Sequence, residues 1–109
     1  ASHLNAFNLA YLHVMRGDLF QQQTGDIMTP IRELYKGVLI GNMGRTATEA
    51  NQDIEAGKVD AIAFGVDFLA NPDLPARIKA GAPLNPPDPA TFYTAGPAGY
   101  TDYPALTAV

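Results

Sequence analysis

Apolar positions along this chain come in three short dense runs, each closed by glycine and each followed by residues at helical spacing. The first run, Leu9-Ala10-Tyr11-Leu12-His13-Val14-Met15, ends at Arg16-Gly17-Asp18 and reads as a strand covered on both faces, with a buried helix end as the competing reading. The polar stretch from Arg16 to Met28, with three consecutive glutamines and Gly25-Asp26, reads as a surface loop. Thr29-Pro30 then predicts the start of a short helix through Ile31-Arg32-Glu33-Leu34-Tyr35. Proline loses no hydrogen bond at a first helical position, and Thr29 can cap the turn.

Lys36-Gly37 stops that helix and releases Val38-Leu39-Ile40, a second buried strand ending at Gly41-Asn42-Met43-Gly44. Thr46 and Glu49 have the spacing at which a capping hydroxyl and a carboxylate satisfy each other's exposed amides, so a second helix is expected. Ala47, Ala50 and Ile54 share one of its faces, and Gly57 supplies the stop. The third strand runs from Val59 to Phe64 and ends at Gly65-Val66-Asp67. A small turn at Phe68-Leu69-Ala70 precedes Asn71-Pro72-Asp73, which predicts a third helix through Ala76, Arg77, Ile78 and Lys79 to Gly81, with Pro75 an awkward occupant near its start.

Residues 82–109 hold six of the nine prolines and the aromatics Phe92, Tyr93, Tyr100 and Tyr103. That composition excludes a helix or a central strand, while four large side chains argue for an ordered wrap over a larger body. The expected division is therefore 1–81 for the strand and helix units and 82–109 for the tail. Three strand-helix pairs favour parallel pairing, but a three-stranded parallel sheet has two free edges and faces that need cover. An α/β fold of this kind looks unfinished. A (β/α)8 barrel takes eight such units and about 250 residues, whereas a small self-contained open sheet would fit the length but not the proline-rich end.

With 109 residues, 47% of them hydrophobic and 17% charged, the chain admits one folded domain at most. Seven Lys and Arg against eleven Asp and Glu, with no basic run, leave no electrostatic footprint for nucleic acid or an anionic membrane. No apolar stretch approaches the roughly 20 residues that span a bilayer, and the first residues lack the basic region of a signal peptide, so the chain reads as soluble, with the cytoplasm the favoured location. The absence of cysteine removes disulfides, zinc-thiolate sites and thiol nucleophiles. His13 alternates with Tyr11 and Met15 and has no second histidine at ligand spacing, so it reads as structural and no metal site is expected.

Two strand ends carry chemistry. Gly41-Asn42-Met43-Gly44 and Gly65-Val66-Asp67 each follow a buried strand and precede a helix, so backbone amides there can converge on an anion such as a phosphate. The plainer reading is that these glycines only make the bend.

Ala10-Tyr11-Leu12-His13, then Ala61-Ile62-Ala63-Phe64-Gly65 running into Asn71-Pro72-Asp73-Leu74, and finally Phe92-Tyr93 with Gly99-Tyr100-Thr101-Asp102-Tyr103-Pro104, resemble the C-terminal part of the old yellow enzyme family, the FMN-dependent ene-reductases. The resemblance covers nearly the whole chain, and the tail motif is its most specific part. It implies a (β/α)8 TIM barrel with FMN at the C-terminal strand ends, of which this chain supplies strands six to eight and the wrap. A complementary chain carrying strands one to five would complete it. It also implies NAD(P)H as hydride donor and, as substrates, alkenes activated by a carbonyl or nitro group.

The resemblance matches Gly41, Asn42 and Met43 to the loop whose backbone meets the FMN phosphate after the seventh strand, and Gly65 and Val66 to the loop after the eighth. It places Phe92 near the flavin edge and makes Tyr93 a wall of the substrate pocket, whereas both would otherwise read as anchors for the tail. Two positions depart from the family. Val66 stands where an arginine usually gives a charge-assisted bond to phosphate, with Arg45 a candidate substitute cation, and Arg16-Gly17 stands where relatives often carry Glu-Pro. The substrate-oxygen-binding pair, the proton-donating tyrosine and the arginine beneath the flavin belong to earlier strands in the family. No catalytic residue is therefore expected on this chain, which would act only when completed. The alternative is a noncatalytic half-barrel module for binding or assembly, which Val66 supports.

Overall fold

The computed structural model describes residues 1–17, 25–42 and 44–107, which divide into two compact units, Ala1–Ala63 and Phe64–Val109. The first unit holds β1 (Leu12–Met15), α1 (Met28–Leu34), β2 (Leu39–Asn42), α2 (Ala47–Glu55) and β3 (Ala61–Ala63), preceded by a 3-10 turn over Ser2–Ala6. The second holds α3 (Val66–Ala70), α4 (Leu74–Ala80) and a tail whose regular element is a 3-10 turn over Pro89–Thr91.

The sheet is parallel, as the strand-helix alternation predicts, in the order β1-β2-β3. Leu12 pairs with Leu39 and Met15 with Asn42, while Gly41 pairs with Ile62. The outer strands are shorter than their apolar runs, and the central one is shifted along its run. Leu9 to Tyr11 stay outside β1, β2 extends past Ile40 to Asn42, and β3 omits Val59 and Phe64. Only β2, the central strand, carries fully buried positions. β1 alternates half-buried and exposed and β3 is half-buried throughout, so the described residues do not cover the outer strands on both faces. Met28, Tyr35, Leu39 and Val59 form the core of the unit, with Leu4, Leu12, Val14, Ile31 and Ile62 packed against them.

The helix starts follow the sequence signals to different degrees. At α2 both halves of the reciprocal cap form, Thr46 Oγ1 accepting the Glu49 amide at 3.2 Å and Glu49 Oε2 accepting the Thr46 amide at 2.9 Å. At α1 the expectation fails: Thr29 does not cap. The helix begins one residue earlier, at Met28, and Asp26 Oδ1 accepts the amides of Met28 at 2.9 Å and Thr29 at 3.2 Å. A carboxylate three residues ahead answers two orphan amides at once, which leaves the threonine hydroxyl without that task. A hydrogen bond from the Thr29 side chain, and after it the Thr29 and Met28 amides, hold Asp26 below the usual carboxylate range. The expected loop from Arg16 to Met28 thus loses its last residue to the helix, and residues 18–24 of it lie outside the described residues.

In the second unit the small turn at Phe68-Leu69-Ala70 belongs to the short helix α3. Pro75 sits in the first turn of α4, where a missing amide costs nothing, and Gly81 closes the helix at φ +63°. The tail is built on α4. Arg77, buried, donates through Nε to Asp73 Oδ1 at 2.7 Å, through Nη1 to Pro83 O at 2.7 Å and through Nη2 to Pro104 O at 2.8 Å. Asn85 adds bonds from Nδ2 to Ala70 O and Pro104 O, both at 2.8 Å, and its own amide donates to Asn71 Oδ1 at 2.7 Å. One guanidinium and two amide side chains therefore order a segment whose prolines cannot build a ladder.

Candidate functional site

β2 delivers its C-terminal end at Gly41 and Asn42. Gly41 is buried because the space beside its Cα is already filled: a Cβ there would lie 3.2 Å from Ile62 Cδ1 and Val59 Cγ1 and 3.3 Å from Arg45 Cζ. The residue type is thus set by packing against β3 and Arg45, which the glycine spacing alone does not reveal. Asn42, the last residue of β2, is half-buried, and Met43 lies outside the described residues. Gly44 turns the chain at φ +64°, a left-handed conformation that favours glycine.

The carbonyls of Asn42 and Gly44 are both answered from within the unit. Asn42 O accepts the Arg16 amide at 3.3 Å and Arg45 Nη1 at 3.0 Å, which uses both of its lone pairs, and Gly44 O accepts Arg16 Nη2. Arg45 does not reach outward as a loose cation. Its side chain is 3% exposed, and Nε pairs with Asp53 Oδ2 at 2.7 Å. That hydrogen bond, with Lys58 3.6 Å away on the other oxygen, holds the Asp53 carboxyl below its ordinary range. Two arginines, one after β1 and one after β2, therefore fasten the turn by its acceptors, the charge of Arg45 being paired with Asp53. A strand end whose carbonyls are held in this way presents backbone amides, a donor set compatible with an anion such as a phosphate group. The contact of Arg16 with this turn is not legible in the sequence, because its partner Gly44 is remote in the chain.

In the second unit Gly65 is the residue ahead of α3, exposed, and its carbonyl accepts the Leu69 amide at 3.0 Å. Val66 is the first residue of α3 and is 48% exposed. Phe92 is half-buried just past the 3-10 turn, while Tyr93 projects with 99% of its surface free. Among the described residues Phe92 is therefore partly packed and Tyr93 is not. His13 is exposed on β1 beside exposed Tyr11 and Met15, and no group of three metal-ligating side chains occurs among the described residues. Among those residues no helix is long and apolar enough to cross a membrane. A cleft of about 580 Å³ in the first unit has Arg16, Arg45, Arg32 and Lys58 on its walls together with Asp26 and Asp53, a mixed lining without one dominant sign.

Comparison with protein-family models gives no match. The chain is 54% identical over 105 residues to a probable flavin mononucleotide-dependent alkene reductase of Leishmania infantum, covering 96% of this chain and 28% of the relative. Among solved structures, the old yellow enzyme from Trypanosoma cruzi superposes with a TM-score of 0.93 at 47% identity, over 97% of this chain and 28% of that one. Morphinone reductase in complex with tetrahydroNAD superposes with a TM-score of 0.85 at 42% identity, over 98% of this chain and 29% of that one. The chain thus spans a little over a quarter of the length of the proteins it matches.

Proposed function

We propose that this chain, which belongs to the old yellow enzyme family, is the C-terminal part of an FMN-dependent ene-reductase that uses NAD(P)H to reduce alkenes conjugated to a carbonyl or nitro group. The observation that carries this reading is similarity along the chain's whole length to an alkene reductase, on a parallel three-stranded sheet that is a partial (β/α)8 barrel. β1, β2 and β3 are its sixth, seventh and eighth strands, residues 1–81 its last strand-helix units and 82–109 the wrap. Strands one to five come from polypeptide outside this sequence, in our reading a complementary chain in the same cytoplasmic compartment.

Gly41, Asn42 and Met43 serve the FMN phosphate through backbone amides, on a turn whose carbonyls Arg16 and Arg45 hold. Gly65 and Val66 are assigned to flavin binding by the resemblance alone, as is Phe92 at the ring edge. Tyr93, free of the tail's own packing, becomes a wall of the substrate pocket. FMN, when bound, supplies the hydride that NAD(P)H has given it. This chain's residues bind and orient it, and they hold no group that moves a proton to substrate, so activity requires the completed barrel.

Combining this chain with a polypeptide carrying the first five strands tests the reading. A yellow complex that oxidises NADPH when an enone is added supports it, and a colourless mixture of folded, non-associating chains overturns it. The second reading, a noncatalytic half-barrel module, is favoured by Val66, which removes a cation from a phosphate loop. A complex that assembles without flavin absorbance decides for it.

A further inference from the structure

We infer that residues 83–104 form a loop laced crosswise by side chains, in which Arg77 and Tyr103 are positioning residues that set the place of Tyr93 in the substrate pocket. The inference rests on the ene-reductase reading above and adds to it the device that holds Tyr93. The outgoing limb, 83–91, carries Pro83, Pro86, Pro87 and Pro89, which have no amide to give, and no backbone hydrogen bond joins it to the returning limb, 98–104. Side chains join the limbs instead, at successive heights. At the base the Arg77 guanidinium donates to both, through Nη1 to Pro83 O at 2.7 Å and through Nη2 to Pro104 O at 2.8 Å, and Asn85 Nδ2 adds a bond to Pro104 O at 2.8 Å. Further along, the Asp88 amide donates to Tyr103 Oη at 2.9 Å. Beyond it the Thr91 side chain fills the space that a Cβ on Gly99 would take. Near the apex the Thr94 hydroxyl donates to Thr91 O at 3.1 Å, with Ala98 O of the returning limb 3.5 Å away.

The steps are linked through Asp88. With its amide held by Tyr103, its carbonyl accepts the Thr91 hydroxyl at 2.9 Å, and that bond sets the side chain against which Gly99 rests. Position therefore passes from Tyr103, half-buried, to Thr91, and Tyr93 follows two residues on. Tyr93 itself is 99% exposed and takes no part in the lacing. Its ring adds nothing to the loop's own stability, while the backbone beneath it is fixed from both sides. An aromatic side chain on a prearranged support binds at a lower ordering cost than one on a loose segment. A wall of this kind contacts substrate and transition state alike, so its loss is read in KM rather than in kcat.

The test uses the flavin-binding assembly that contains this chain, with NADPH and cyclohexenone as the probes. Tyr103→Phe, which removes the hydroxyl and keeps the ring, is expected to raise the KM for the enone about fivefold and to leave kcat and FMN affinity within about twofold. Tyr93→Ala raises KM in the same way. The two combined should give no larger KM than Tyr93→Ala alone, since Tyr103 acts through Tyr93. Arg77→Lys, whose ammonium does not serve both limbs as the planar fork does, follows Tyr103→Phe and carries the comparison if that variant does not fold. Additive effects on KM in the double variant mark Tyr103 as purely structural and overturn the inference. Unchanged KM in Tyr103→Phe or in Tyr93→Ala overturns it too, as does a joint loss of kcat and FMN in Tyr103→Phe. Each of these leaves the ene-reductase reading intact. A wild-type assembly that holds no flavin, or does not reduce the enone, overturns both.

Discussion

The Asp60 carboxylate accepts the Leu39 amide at 2.8 Å, while the Asp60 amide donates to Leu39 O at 2.8 Å, so one residue closes both backbone groups at the start of β2. The same oxygen pairs with Arg32 at 3.0 Å, and Arg32 also donates to Tyr35 O and Gly37 O at the end of α1. The start of the central strand is thereby fastened to the end of the preceding helix by side chains rather than by ladder bonds.

Asp60→Ala leaves the buried Leu39 amide without its acceptor and is expected to destabilise the protein by about 1–3 kcal/mol, read as a lower denaturant midpoint. The bond to the Leu39 amide, and after it Arg32, holds the Asp60 carboxyl below its ordinary value. A lowered carboxylate pKa adds stability that is fully present above the unfolded-state value near 4 and is lost as pH falls through the folded value. The wild-type midpoint should therefore be flat through neutrality and fall below about pH 4, and Asp60→Asn should soften that fall. A wild-type curve with the same acid slope as Asp60→Asn would contradict the assignment.

The tail clasp gives a second acid-sensitive feature. Asp73 accepts the Leu106 amide through Oδ2 at 2.7 Å and Arg77 through Oδ1 at 2.7 Å, and these bonds, the Leu106 amide foremost, lower its pKa. Protonation of Asp73 below about pH 4 should release residue 106 first. The protection of the Leu106 amide against hydrogen exchange, taken relative to the intrinsic rate at each pH, is expected to fall on acidification and in Asp73→Asn at neutral pH. Arg77→Ala, which frees Pro83 O and leaves Pro104 O to Asn85 alone, should open the tail to proteolysis. Unaltered tail cleavage in Arg77→Ala would show that the prolines alone order the segment.

Gly41→Ala inserts a methyl group 3.2 Å from two core side chains and 3.3 Å from Arg45, closer than they accommodate without moving. Overpacking of that kind costs about 1–3 kcal/mol, so a clear drop in thermal midpoint is expected, together with weaker FMN binding as Arg45 is displaced. Gly57→Ala, at φ +71° but with open space around it, should lower stability without touching flavin affinity.

How much of this could be read from the chain follows from the distance over which each residue acts. Thr46 and Glu49 cap each other three residues apart, so their signal is local and legible. Three parallel strands were legible too, because glycine closes each apolar run before a helical spacing begins. Asp26 and Thr29 compete for one turn, and sequence does not tell which oxygen has the reach. Asp60, Arg16, Arg45 and Arg77 were invisible in their structural roles, since their acceptors include backbone carbonyls or amides that carry no residue identity. The candidate site was therefore legible as a glycine-bounded strand end, and the apparatus that holds the turn in place was not. Covered outer strands were expected from hydrophobicity alone, but among the described residues β1 alternates half-buried and exposed and β3 is half-buried throughout.

Val66 offers the sharpest check on the flavin assignment in the second unit. It opens α3 and is 48% exposed. The family resemblance places an arginine at this position, where a guanidinium would add a charge-assisted bond to the FMN phosphate that valine lacks. Val66→Arg is accordingly expected to tighten FMN about tenfold and to leave riboflavin affinity unchanged. The gain should shrink as salt is raised, since an exposed cation is screened where a buried pair such as Arg45 and Asp53 is not. Riboflavin and FMN tightening in parallel would trace the effect to a general change in α3 instead. No gain for either would remove Val66 from the phosphate site, leaving the turn after β2 as the part of the cradle that this chain supplies.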